Sequence, residues 1–191
     1  LHAEGLFASG GKRALPRYPQ RIAVVTSPHS AAWTDVLTVL ARRWPYAQVQ
    51  LYPCTVQGYA APTEIVQALD GANHAYPRCD VLLLVRGGGG DEDLSAFNDE
   101  QVVRAVANSA IPVVCGIGHE RDWTLCEQAA DVRAATPSAA AEQATPDREQ
   151  LQQYLQQLHQ RLHNCMEYSL AQARAKWQVM AQRHQRAGLL S

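Results

Sequence analysis

Short unbroken apolar runs alternate with longer stretches in which apolar residues recur every three or four positions, and this alternation governs the first two thirds of the chain. Ile22-Ala-Val-Val-Thr26 is a run of the kind buried on both faces of a parallel sheet. Ala31–Trp44 follows, with Val36, Leu37, Val39 and Leu40 on one helical stripe and Pro45 as its stop. Ahead of it, Ser27-Pro28 reads as a start signal with proline at the first helical position. Val49–Cys54 predicts a second strand, Pro62–Ala75 a helix with Ile65, Val66 and Leu69 facing inward, and Val81–Val85 a third strand. Leu94–Asn108 predicts a helix and Ile111–Ile117 a fourth strand. Strands alternating with helices of this length imply right-handed βαβ units and a parallel sheet. Four or five strands cannot close an eight-stranded barrel, so the predicted fold is an open doubly wound α/β sheet.

After residue 130 the pattern changes. Thr136-Pro137 and Thr145-Pro146 each read as an N-cap followed by proline at the first helical position. From Asp147 to Ala187 no Pro or Gly interrupts. Leu151, Leu155, Leu158 and Leu162 mark an apolar seam at spacings of four and three, which Met166, Leu170, Ala173, Trp177 and Met180 continue. Consecutive steps of four around Met166 form a stutter, which locally unwinds a supercoil. Such a helix spans roughly 60 Å, so a partner helix is the expected cover for the seam, rather than the chain's own domain. Three regions are therefore expected: a linker over 1–20, an α/β domain over 21–146 and a long helical partner-binding segment over 147–191. The sequence opens at Leu1 without Met and reads as a fragment lacking an amino-terminal portion.

Composition narrows the field. The chain is 47% apolar, its formal charge is −1 and its pI is about 6.7, so it has a soluble core and no global basic field for nucleic acid. Fifteen of the 17 basic residues are arginine, the residue suited to bidentate phosphate or carboxylate contacts. Five cysteines without a C-x-x-C pair argue for reduced thiols of a cytoplasmic protein, not a disulfide framework or a zinc site. No apolar run reaches membrane-spanning length.

Ligands of open α/β sheets bind outside the carboxyl ends of the strands. Three predicted ends carry unusual chemistry: Thr26-Ser27-Pro28-His29-Ser30 with Asp35 beyond it, Arg86-Gly87-Gly88-Gly89-Gly90 before an acidic run at 91–93, and Gly118-His119-Glu120-Arg121-Asp122. Four glycines after a buried strand free successive N–H groups to cradle an anion, and Arg86, expected to be partly exposed at the strand end, adds a guanidinium fork. Ser27 and Gly87–Gly90 are the candidate phosphate-binding residues. The loop is not a Walker-type cradle, and no G-x-G-x-x-G opens a helix after the first strand, which weighs against dinucleotide binding. His119 and Asp122, three apart, can activate water or protonate a leaving oxygen if a helix starts there.

Taken together, Arg21–Pro28, Asp35–Leu40, Arg86–Gly89, Glu92–Leu94, Ala96–Asn98, Ile111–Val114, Gly118–Glu120, Asp122 and Thr136–Glu142 resemble the catalytic domain of the exonuclease VII large subunit. The resemblance implies a catalytic set of Asp35, Arg86, His119 and Asp122, Asp35 resting on the match alone. It implies exonucleolytic hydrolysis of single-stranded DNA from either end to short oligonucleotides, small helical subunits bound to the long helix, self-association of large subunits, and an amino-terminal OB-fold before Leu1. Val85, Gly90, Asp91, Ser95 and Arg121 depart from the family pattern, and the more acidic loop leaves the metal open: Asp91, Glu92 and Asp93 could hold Mg²⁺ or form a solvated helix start. Two other readings fit the residues, a nucleotide-binding transferase on the same architecture and a non-catalytic helical scaffold.

Overall fold

The computed structural model describes residues 1–2, 4–87, 91–118 and 123–188, without the side chains of Ser9, residues 91–93 and residues 184–188. The chain divides into two compact units, Leu1–Asp147 and Arg148–Ser191.

The first unit is an open parallel sheet of five strands: β1 (Arg21–Thr26), β2 (Gln48–Pro53), β3 (Val81–Val85), β4 (Val113–Gly116) and β5 (Val132–Arg133), in the order β2-β1-β3-β4-β5. All four pairings are parallel. Every residue of β3 is buried, whereas the edge strand β2 alternates between half-buried and exposed. Alternate residues of the central strands feed two cores. Ile22, Val24, Val81, Leu83, Val85 and Val114 pack with α1 (Ala31–Arg43) and α5 (Pro137–Ala144). Ala23, Val25, Leu82, Leu84, Val113 and Cys115 pack with α2 (Ala61–Asn73), α3 (Glu100–Ala107) and α4 (Leu125–Ala129). Right-handed crossovers require this division: the chain moves one way from β1 to β2 and the other way at every later crossover, so α1 and the next three helices lie on opposite faces. The predicted open doubly wound α/β fold is the observed one.

Several local predictions are corrected. Pro28 lies in a turn, and the cap of α1 is Ser30, whose hydroxyl accepts from Trp33 N at 3.2 Å. The helix expected over Leu94–Asn108 is split: a 3-10 helix covers Asp91–Asn98, and α3 starts afresh behind Asp99, whose carboxylate accepts from Gln101 N at 2.8 Å. A cap within an apolar-periodic stretch resets the helix. Thr136 caps α5 as expected, accepting from Ala139 N at 3.1 Å. Thr145 instead ends that helix, donating its hydroxyl to Ala141 O at 2.7 Å, and the next helix begins at Arg148.

The amino-terminal edge of the sheet is closed by two carboxylates. Asp80 accepts from Gln20 N and Arg21 N at 2.7 and 2.9 Å. Asp131, with its side chain buried, accepts from Val113 N at 2.7 Å and from the Arg13 backbone and guanidinium at 2.6–3.0 Å. Residues 1–20, expected as a linker, contain a 3-10 turn at Ser9–Gly11 and are tied down by Arg13 and by Pro19, whose carbonyl accepts from Trp44 Nε1 at 2.7 Å. Four of the five cysteines are buried and all are free. Burial pushes the Cys54 thiol up to about 12 and those of Cys115 and Cys126 upward, so these groups stay protonated and unreactive.

The second unit is α6 (Arg148–Gly188), a 41-residue helix. Its seam residues Leu155, Leu158, Leu162, Met166, Leu170, Trp177 and Met180 are exposed, as are Tyr154 and Tyr168 beside them. Among the described residues no helix is long and apolar enough to cross a membrane.

Two glycines mark opposite packing limits. A Cβ at Gly116 would lie 2.8 Å from Thr136 O and 2.9 Å from Ala140 Cβ, so α5 docks on β4 only because no side chain intervenes. A Cβ at Gly71, inside α2, would meet the Tyr52 ring at an ordinary 3.6 Å. Gly116→Ala is therefore expected to destabilise the domain by about 1–3 kcal/mol through overpacking. Gly71→Ala should stabilise it by about 0.5–1 kcal/mol through helix propensity. Denaturant unfolding of both variants checks the contrast, and equal effects of the two would contradict the packing described.

Candidate functional site

The strand order fixes where a ligand fits. The crossover leaving β1 runs toward β2 and the one leaving β3 runs toward β4, so a crevice opens between their carboxyl ends. Val25 pairs with Leu84 and Val85 with Gly116, so β1, β3 and β4 leave the sheet side by side. These are the ends that carry Thr26–Ser30, Arg86–Gly87 and Ile117–Gly118.

At the first end the chain turns tightly. Ser27 O accepts from both the backbone N and the hydroxyl of Ser30, at 3.1 and 2.7 Å, and Thr26 Oγ1 lies 3.4 Å from Ser30 Oγ. This turn leads into the first turn of α1, where Trp33 N donates to Ser30 Oγ. Ser27 is half-buried beside it, and Asp35, on the second turn of α1, is exposed. At the second end Arg86 donates its backbone N–H to Gly116 O at 3.2 Å. A Cβ on Gly87 would lie 3.4 Å from Ala32 N, so β3 leaves the sheet directly against the first turn of α1. Ser27, Arg86 and Gly87 thus share one crevice with a helix amino terminus, where anions are favoured.

Arg86 departs from expectation in one respect: it is only 6% exposed. Because the side chain is buried, its removal bears on stability. Val85, where the family pattern has glycine, lies wholly within the α1-side core.

Gly88, Gly89, Gly90, His119 and Asp122 lie outside the described residues, as do the side chains of residues 91–93. Among the described residues no group of three or more His, Cys, Asp or Glu is arranged to hold a metal ion. The segments that flank these loops are well anchored. Asn98 Oδ1, at the end of the 3-10 helix, accepts from Leu125 N at 2.8 Å and joins the chain after β3 to the chain after β4.

One cluster at the ends of β4 and β5 was not foreseen from the sequence. Trp123 is 61% exposed, and the Arg133 guanidinium sits 4.3 Å from its ring centroid. Arg133 Nε lies 3.3 Å from Oε1 of Glu127, which is almost wholly buried. Glu127 Oε2 accepts from the backbone N and hydroxyl of Thr124 at 2.9 and 3.0 Å, closing a capping box at the start of α4. A tryptophan directly after Asp122 was the available signal, but pairing it with Arg133 requires the β4–β5 register, in which Cys115 faces Arg133.

Comparison with known proteins gives this geometry its family. Residues 6–190 match the family model described as exonuclease VII, large subunit. The chain is similar to proteins named exodeoxyribonuclease 7 large subunit from several bacteria. It is 55% identical over 162 residues to that of Thiobacillus denitrificans, covering 85% of this chain and 36% of the relative. It is 49% identical over 173 residues to that of Xylella fastidiosa strain M23, covering 91% and 39%. It is 47% identical over 183 residues to that of Desulforudis audaxviator, covering 96% and 45%. The chain thus spans about two fifths of the length of these curated relatives. A match over nearly the whole sequence, together with identities near 50% to several relatives, establishes that the chain belongs to the exonuclease VII large-subunit family.

Proposed function

We propose that this chain carries the hydrolytic site of a single-strand-specific exodeoxyribonuclease, acting from either DNA end to release short oligonucleotides. The observation that supports this best is the crevice between β1 and β3. There a half-buried serine follows β1, a buried arginine follows β3, and Gly87 lies against the first turn of α1. DNA is the substrate class because the relatives are named exodeoxyribonucleases and a helix amino terminus favours an anionic backbone, and the single-strand preference follows from the sequence resemblance.

In this reading water attacks phosphorus and the bridging oxygen on the far side leaves with a proton. Arg86, with the amides of Gly87–Gly90, takes up the charge that builds on the nonbridging oxygens in the phosphorane-like transition state. Ser27 adds a contact to the same phosphate. His119 handles the proton, either taking it from water or delivering it to the leaving oxygen, and Asp122 orients the imidazole. Asp35, exposed on α1 at the rim, positions the water or His119. If Mg²⁺ takes part, Asp35 and the acidic run at 91–93 supply the carboxylate chemistry it prefers. The protein works in the cytoplasm, where its free cysteines stay reduced.

The partners follow from α6. A solitary helix cannot bury a row of leucines, and each left in water forgoes roughly 1.5–3 kcal/mol of burial. The seam is assigned to the small helical subunit and to other large subunits, and the border at residue 147 separates catalysis from assembly.

Two measurements test the reading. In the intact large subunit assembled with its small subunit, Arg86→Lys and His119→Asn should each lower cleavage of labelled single-stranded DNA by at least about 10²-fold. Melting temperature should fall far less than cleavage does, since a lost contact to the buried guanidinium costs about 1.5–3 kcal/mol. Cleavage that fell only in step with melting temperature would make Arg86 a structural residue. For the helix, changing Leu155 and Leu162 together to Asp should abolish assembly in sedimentation while sparing the unfolding transition of the α/β domain. Assembly that survived the change would exclude the seam as the contact.

A further inference from the structure

We infer that Trp123 is a stacking platform for a nucleobase of the single-stranded substrate, held ready by Arg133 and placed next to the reacting phosphodiester. The inference rests on the nuclease reading for the identity of the ligand and on separate observations for the site. A large indole left 61% in water is costly unless something covers it. One side of this ring is already occupied, since the Arg133 guanidinium lies 4.3 Å from its centroid. Arg133 is fixed in turn by β5 and by Glu127, whose carboxylate also grips Thr124, the residue after Trp123. The ring is therefore held from its own backbone and from the guanidinium, with part of its surface still open. Rigid aromatic surfaces of this kind stack bases without regard to sequence, because every base has a π-face. A stacked guanidinium adds positive charge for the neighbouring phosphate.

Its position in the chain gives the platform a task. Trp123 immediately follows Asp122, and Leu125, two residues on, is bonded to Asn98 at the end of the segment that begins with Arg86 and the glycines. A base stacked here, at the carboxyl ends of β4 and β5, would set which phosphodiester reaches the reacting groups. An enzyme that shortens DNA of any sequence needs such a base-indifferent grip, since it has no base edges to read.

The test uses the intact large subunit assembled with its small subunit, with two independent readouts. The first is photocrosslinking to a single-stranded oligonucleotide carrying 5-iodouracil, mapped by mass spectrometry on the tryptic segment 122–133. The second is cleavage of oligonucleotides with one abasic position, by wild type, Trp123→Phe and Trp123→Ala. The expected result is a crosslink at Trp123 in wild type. Trp123→Ala should lose about tenfold in kcat/KM on intact DNA, the effect of roughly one lost stacking contact, and should no longer discriminate against abasic DNA. Trp123→Phe should retain most of both properties. No crosslink on 122–133, with abasic discrimination unchanged in Trp123→Ala, overturns the platform while leaving the nuclease reading intact. A crosslink at Trp123 in a wild-type protein that cleaves no DNA supports the platform and overturns the nuclease reading instead.

Discussion

The complete burial of β3 is the constraint on which the remaining structure depends. Five consecutive apolar residues, Val81–Val85, can avoid water only as a central strand covered on both faces. That requirement calls for helices above and below, and right-handed crossovers then force the chain to reverse its direction of travel beside β1. The crevice at that reversal is a product of topology, not of any single residue. Gly87 and Gly116 refine it. One lets β3 leave against the first turn of α1, and the other lets α5 settle on the end of β4.

The two edges of the sheet use polar residues in opposite ways. At the amino edge, Asp80 and Asp131 are taken up by backbone N–H groups and by Arg13, so their charge is internal to the fold. At the carboxyl edge, Ser30 closes the turn and caps α1, while Ser27 is half-buried and Asp35 exposed. Arg86, directly after β3, is buried. In the proposed hydrolysis a guanidinium preorganised there stabilises developing charge without first having to be ordered.

The sheet was legible in the sequence because its signals are strong and local. Unbroken apolar runs gave β1, β3 and β4, and the helical stripes gave α1 and α2. Shorter elements were hidden because side chains, not hydrophobic periodicity, define them. Ser30 rather than Pro28 caps α1, and Asp99 restarts a helix inside a stretch that looks continuous. The two residues of β5 and the five of α4 are too short for any period to emerge. Of the residues expected at the strand ends, Ser27 follows β1 and Arg86 and Gly87 follow β3, while Asp35 lies on the second turn of α1. The burial of Arg86 and the Trp123–Arg133 pair were not foreseen, because both depend on which strands become neighbours.

The central claim is that DNA engages the carboxyl edge of this sheet at the β1–β3 crevice. Hydrogen exchange of the intact large subunit, with and without a phosphorothioate single-stranded oligonucleotide, tests it without relying on catalysis. The account predicts added protection within 26–35, 86–99 and 117–125, with none at the amino-edge segments 19–22, 78–82 and 110–113. Protection confined to the amino edge, or to α6, would contradict it.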